Sequence, residues 1–402
     1  MTLRICVVGA GPAGIYAAEG LSKGPGAHID VIDRLPTPFG LVRYGVAPDH
    51  QSTKAVTRVL ERILTRPGIR FLGGIALGRE VRLADLRQAY DAVVLATGCP
   101  QDRRLGIPGE DLPGVIGSGR FVAWYNGHPD FADLALPEGV RSVAVIGNGN
   151  VALDIARVLA KTPAEMAKSD LAPRAAAWIA RQPLREIHVV GRRGPIEASF
   201  TTAELAEMGR LERAAALRDE TPLPEAPVGD KVKEGNIAAL RALVPRSADL
   251  NVIFRFNTTT ELFVGKPEIE KLRVKHLGRN HDLPCDLVVT AIGYASPSTE
   301  GLELTRNGVL TNQDGRIADG LYVVGWAKRG PSGVIPTNRP ESHAVAERIL
   351  AEVQPSGRAG LDFTKASDWA RWKRIEAAEI AAAAPGAPRR KLDDWAALAA
   401  IP

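Results

Sequence analysis

The sequence predicts an α/β protein built from two three-layer units, and three observations carry that prediction. A strand, a glycine turn and a helix open the chain at 3–21. The same succession returns at 142–160. After each copy, apolar strand-like segments alternate with helical stretches, as parallel sheets with crossover helices require.

The elements follow in order. Leu3 to Val8 is apolar apart from Arg4, which suits a parallel strand buried on both faces. A helix pattern runs from Ile15 to about Leu21, and a second strand from Ile29 to Ile32 ends at Asp33. Residues 52–66 read as one amphipathic helix with Val56, Val59, Leu60 and Ile63 on its apolar face. Ala92 to Ala96 is a strand ending in Thr97-Gly98. The second copy has a strand at Ser142–Ile146, a turn at Gly147–Asn150 and a helix at Val151–Ala160. A helical insertion is expected around 163–182, then a strand at Ile187–Val190. The stretch Pro222–Pro227 reads as a loop. Strands return at Val252–Phe256, Leu272–His276, Leu287–Ile292 and Leu321–Val324, and helices near 367–383 and 391–400.

Composition narrows the function. The chain has 402 residues, 45% apolar and 24% charged, enough for sizeable cores. No stretch approaches the ~20 apolar residues of a membrane helix. The first strand leaves no room for a signal or transit peptide, and the cytosol is the expected compartment. Cys6, Cys99 and Cys285 are too few and too scattered for a disulfide framework, a CxxC redox pair or a cluster held by this chain alone; they read as small core residues. A net charge of +5 is weak for a nucleic-acid binder and fits an anionic ligand or acidic partner better.

Gly9-x-Gly11-x-x-Gly14 lies between strand and helix, where a Rossmann-like unit seats a pyrophosphate on unpaired helix N–H groups. Asp33, at the end of the next strand, suits ribose hydroxyls and repels a 2′-phosphate, which favours FAD or NAD there. Gly147-x-Gly149-x-x-Ala152 repeats the turn, but its next strand ends in Arg192-Arg193. Two guanidiniums at that point suit the 2′-phosphate of NADP.

With these turns, the runs Pro36–His50, Ile146–Arg157, Gly191–Pro195 and Gly325–Ile335 make the chain similar to the adrenodoxin reductase-like ferredoxin–NADP+ reductases. The resemblance implies an FAD domain of 1–104 with 322–402, and an NADP domain of 105–321 inserted in it. It implies that Gly9, Gly11, Pro12, Ala13, Gly14, Asp33, Leu41 and Gly98 hold FAD, with Trp326, Gly333, Val334 and Ile335 along the flavin. Gly147, Gly149, Asn150 and Val151 would take the NADP pyrophosphate, and Arg192 and Arg193 its 2′-phosphate. Glu204 would lie near the nicotinamide, and His50 with Asp154 would form a polar pair linked to the electron acceptor. The implied activity is hydride exchange between NADPH and FAD, and single-electron exchange between FAD and a ferredoxin. A monomer is expected, with no nucleic-acid or membrane partner.

Two other readings stand beside it: a flavoprotein module of a larger assembly of the glutamate synthase type, and a flavin-binding regulatory protein. Lys54, Arg58, Arg62 and Arg66 recur every four residues, as a solvated face or a docking stripe for an acidic ferredoxin, with Lys328 and Arg329 as further candidates. Trp124 and Tyr125 read as core or hinge packing.

Overall fold

A computed structural model describes residues 2–225 and 228–402, so Ala226 and Pro227, the end of the expected 222–227 loop, lie outside the described residues. Two six-stranded sheets organise the chain. The first runs in the order Arg316–Ala318, Leu321–Val323, Ala92–Leu95, Arg4–Val8, His28–Asp33, Ile69–Gly73, parallel except for its first strand. Arg4–Val8 is central, and Ile5, Cys6 and Val7 have no exposed surface. Helices Pro12–Leu21 and Asn338–Glu352 cover one face, where Ile5, Val7, Tyr16, Ala17, Val345 and Ile349 share a core. A methyl added at Gly20 would sit 2.6 Å from the Ala346 Cβ, so glycine lets these two helices touch.

The second sheet is parallel throughout: Val115–Gly117, Leu287–Thr290, Ser142–Ile146, Glu186–Val190, Leu250–Arg255, Ala214–Arg218. One face carries the helices of 118–240. An antiparallel sheet of Thr258–Val264, Lys271–His276 and Arg279–Pro284 packs Phe263, Leu272 and Leu283 against Ala144, Ile146 and Val190 of the other. The expected insertion is present as helices Pro163–Met166 and Pro173–Arg181. The chain passes between the two lobes twice, and the crossings pair antiparallel as a short ribbon, Gln101–Asp102 with Tyr294–Ala295. Arg316–Ala318 already belongs to the first sheet, ahead of the expected return at 322.

The helix expected over 52–66 is divided into Gln51–Lys54 and Thr57–Leu64. Val56 N–H bonds Thr53 and Arg58 N–H bonds Ala55, three residues back, which tightens one turn. That change of phase takes Lys54 off the stripe and turns it inward.

After helix Trp369–Ala381 the tail straps both lobes. The buried Lys391 Nζ donates to Arg43 O at 3.0 Å in the first lobe and to Asn126 O at 2.9 Å in the second. It also lies 2.9 Å from Asp170, whose other oxygen accepts from Lys54 Nζ at 2.7 Å. Arg174 grips Asp393 at 2.6 and 2.9 Å, and Trp395 Nε1 donates to Asp130 at 2.8 Å. Among the described residues no helix is long and apolar enough to cross a membrane.

Candidate active site

The glycines of the first turn do different work. Gly9 has φ +116°, and a Cβ there would lie 2.4 Å from Ala96 O. A Cβ at Gly14 would lie 1.9 Å from Gly9 O, so the helix rests directly on the turn. Gly11 needs neither allowance: its φ is an ordinary −79° and no atom lies within 4 Å of its would-be Cβ. Space is left at the helix N-terminus, where Pro12 presets the first turn and Ala13 packs against Gly325. That is the room a pyrophosphate needs.

Asp33 braces this turn, accepting Ala10 N–H at 2.7 Å and Leu35 N–H at 2.9 Å. Each carboxylate oxygen keeps a further acceptor site for a ribose hydroxyl. Burial pushes the carboxyl above its usual value, against the pull of the two N–H bonds and Arg34. Phe39 (φ +82°) and Gly40 (φ +48°) form a left-handed corner over Gly11 and leave Leu41 50% exposed. Val334 is 67% exposed, again unusual for so apolar a side chain. Val334 N–H is taken by Thr337 Oγ1 at 3.2 Å, while among the described residues no acceptor faces the N–H groups of Gly333 and Ile335. Trp326 stacks on Tyr294 at 6.1 Å and 13°, across the two lobes. Gly98 (φ +66°) has open space at its would-be Cβ. An open glycine, uncovered apolar side chains and unused N–H donors fit a long, flat, anionic ligand such as FAD.

The second turn repeats this construction. Gly147 has φ +147°, and a Cβ there would meet Ala291 O at 2.2 Å. Gly149 caps helix Asn150–Ala160 with Val151 in its first turn, Ala152 is fully buried, and Asn150 Oδ1 accepts Thr201 N–H at 2.8 Å. Asn148 Oδ1 is buried without a partner, an acceptor left unused inside the turn. Arg192 and Arg193 are exposed beyond strand Glu186–Val190, and among the described residues neither makes an ion pair. Two free guanidiniums fit a phosphate.

Between the lobes, His50, Asp154 and Glu204 converge. His50 Nδ1 lies 3.9 Å from Asp154, and Nε2 lies 3.7 Å from Glu204 and 3.6 Å from Glu207. These are contacts, not hydrogen bonds, and Nε2 is buried without a partner. The centre of the group is Arg157, fully buried. It bonds Asp49 twice, at 2.8 and 3.1 Å, Asp154 at 2.7 Å and Glu204 at 2.9 Å. Lys161 adds a 2.8 Å bond to Asp49. Burial pushes Asp154 and Glu204 upward despite Arg157 and His50, whereas Arg157 and Lys161 outweigh burial at Asp49 and hold it well below the usual range. Arg157, Lys161, Asp49 and Glu207 are not marked as site residues by the sequence, because the burial of Arg157 and its contacts to 49 and 204 leave no trace in spacing. His50, Asp154 and Glu204 approach closely enough to share a cation, but Arg157 N–H groups already donate to both acids.

Two expectations need correction. Lys54 is buried on Asp170 and Asn126, so the four-residue basic stripe does not exist; Arg66 pairs with Glu19, and among the described residues Arg58 and Arg62 alone of the stripe stay exposed without an ion pair. Lys328 and Arg329 are engaged by Glu341 and, for Arg329, Asn338, which removes them as free docking charges. Trp124 and Tyr125 are core residues, as expected, with Trp124 edge-on to Trp178 at 5.6 Å. All three cysteines are buried and free.

The model of the pyridine nucleotide-disulphide oxidoreductase family matches residues 3–208. An NADPH-ferredoxin reductase FprA of Mycobacterium leprae (strain TN) is 36% identical over 446 residues, 99% of this chain and 98% of the relative. The mitochondrial NADPH:adrenodoxin oxidoreductase of Homo sapiens is 35% identical over 450 residues, 98% of this chain and 90% of the relative. Among solved structures, Mycobacterium tuberculosis FprA in complex with NADPH matches with TM-score 0.93 at 34% identity, covering 100% of this chain and 99% of that one. A thioredoxin reductase of Lactococcus lactis, at TM-score 0.51 and 14% identity, shares the fold alone.

Proposed function

Because the chain belongs to the pyridine nucleotide-disulphide oxidoreductase family, beside the NADPH–ferredoxin and NADPH–adrenodoxin reductases, we propose that it passes electrons from NADPH through FAD to a ferredoxin-type iron–sulfur carrier. The observation that carries this reading is the contrast between two otherwise equivalent turns, one completed by Asp33 and one by Arg192 and Arg193, unpaired among the described residues. When bound, FAD supplies the exchange between a hydride and two single electrons.

The protein's share is placement and electrostatics. Residues 1–104 with the returning chain hold FAD: Gly9 and Gly14 shape the turn, Gly11 admits the pyrophosphate, Asp33 binds ribose, and Leu41, Trp326 and 333–335 line the flavin. Residues from 105 to the return hold NADP(H), with Gly147–Val151 on the pyrophosphate and Arg192 and Arg193 on the 2′-phosphate. His50, Asp154 and Glu204 lie where the two lobes meet and serve the transfer site. The carrier is acidic, and the working unit is a monomer in the cytosol.

Anaerobic NADPH should bleach the bound flavin within seconds, and cytochrome c reduction should require added ferredoxin. Flavin that stays oxidised under NADPH would leave only the regulatory reading; ferredoxin-independent cytochrome c reduction would favour a module of a larger assembly. A second outcome follows from Gly11. Gly11→Val should keep the melting temperature of the apoprotein within about 3 °C, since a Cβ there meets no atom within 4 Å, yet abolish flavin retention on gel filtration. Yellow Gly11→Val protein would remove the pyrophosphate from that turn.

A further inference from the structure

Two of the three acids that face His50, Asp154 and Glu204, present to it the same oxygens that Arg157 bonds. Asp154 Oδ1 is 2.7 Å from the guanidinium and 3.9 Å from the imidazole; Glu204 Oε2 is 2.9 Å from the guanidinium and 3.7 Å from the imidazole. Both oxygens are therefore drawn to Arg157 and kept just beyond bonding distance of His50, whose Nε2 stays free. The Nε and Nη2 groups of the guanidinium also take Asp49, the neighbour of His50 in the first lobe. Asn150, Asp154 and Arg157, spaced i, i+4 and i+7, lie on one face of the helix that starts at the second glycine turn. One side chain thus ties the first lobe to the second at this point, and sets the direction of two carboxylates that face the histidine.

We propose that Arg157 is a positioning residue for hydride transfer, holding Asp154 and Glu204 off His50 while it clamps Asp49 of the FAD lobe to the NADP lobe. The proposal rests on the function given above. The titratable groups around it are Asp49 and His50 from the first lobe, Asp154 and Lys161 from its own helix and its end, Glu204 and Glu207 from helix Thr202–Met208, and the phenols of Tyr125 and Tyr294. Removing the guanidinium leaves Asp154 and Glu204 without their shared cation, and Asp49 with Lys161 alone, in a half-buried site. Protonation of Asp154 and Glu204 then becomes easier, and their oxygens turn to His50.

The test is stopped-flow reduction of the holoenzyme flavin by NADPH across pH, together with the flavin difference spectrum on titration with NADP+. Arg157→Gln should slow reduction about tenfold or more, move the acid limb of its pH profile up by about one unit, and change the shape of the NADP+ difference spectrum. Arg157→Lys, which keeps the charge but loses the fork, should restore the pH profile in large part and the rate in small part. A folded, flavin-loaded Arg157→Gln protein with a wild-type rate, pH profile and difference spectrum would overturn the proposal. Should Arg157→Gln fail to fold, Arg157→Lys decides: a reduced rate with an altered difference spectrum supports the role, and wild-type values of both overturn it. Wild-type flavin that NADPH does not reduce would count against the function itself, which separates the two failures.

Discussion

Replacing Arg192 and Arg193 together by alanine should raise the KM for NADPH by about 100-fold or more while leaving that for NADH within about threefold, a loss of about 3 kcal/mol carried by the 2′-phosphate alone. Hydrogen bonds to charged groups contribute about 1.5–3 kcal/mol each, so two guanidiniums on one exposed phosphate give about 3 kcal/mol at the low end of their sum. The pair is suited to the test because both side chains are exposed and, among the described residues, unpaired, so truncation leaves no buried charge behind. The difference should shrink with added salt, as an exposed phosphate contact must. Steady-state kinetics with both nucleotides measures it. Equal losses for NADPH and NADH would move the 2′-phosphate elsewhere.

Asp170→Ala should destabilise the protein by about 3–5 kcal/mol, because it strands two ammonium groups in the interior. Lys54 and Lys391 share that carboxylate, and both are buried. Burial works against the charge on Asp170, but Lys391 and Lys54 outweigh it and hold the carboxyl down to about 2, from an ordinary 3.8. A folded-state value below the unfolded one gives stability that is present above about pH 4 and lost as pH falls towards 2. Urea unfolding of the wild type should show that loss, and Asp170→Asn should lack its share of it. Adding Lys54→Met to Asp170→Ala should recover part of the stability, since one of the stranded charges is gone. An Asp170→Ala protein within about 1 kcal/mol of wild type would mean that the lysines find water or another partner.

Local chemistry made much of the architecture legible. The two strand–turn–helix units could be read because a buried parallel strand must be apolar and a tight turn against a neighbouring strand excludes Cβ, as at Gly9 and Gly147. Other elements carry no such mark. Arg279–Pro284 has an almost wholly polar, exposed sequence and is a strand only because Lys271–His276 offers its edge. Ala214–Arg218 is alanine-rich and owes its strand form to pairing with Leu250–Arg255. The basic stripe failed for a tertiary reason: an i, i+4 series says which charges share a helix face, not that another lobe supplies Asp170 to pull one of them inside. Arg157 stands in the second motif one turn after Asp154, but its other partners come from positions 49 and 204, which only the fold brings to it.

The paired crossings at 101–102 and 294–295 have a mechanical consequence. A single polypeptide link is a swivel, whereas two lying side by side permit bending about one line only. The tail is fastened to both bodies through Lys391, Arg174 and Trp395, so opening the lobes on that side must also break the buried Lys391–Asp170 contact. On the proposed function, this linkage favours an entrance preset for nucleotides and carrier over one that opens like a jaw.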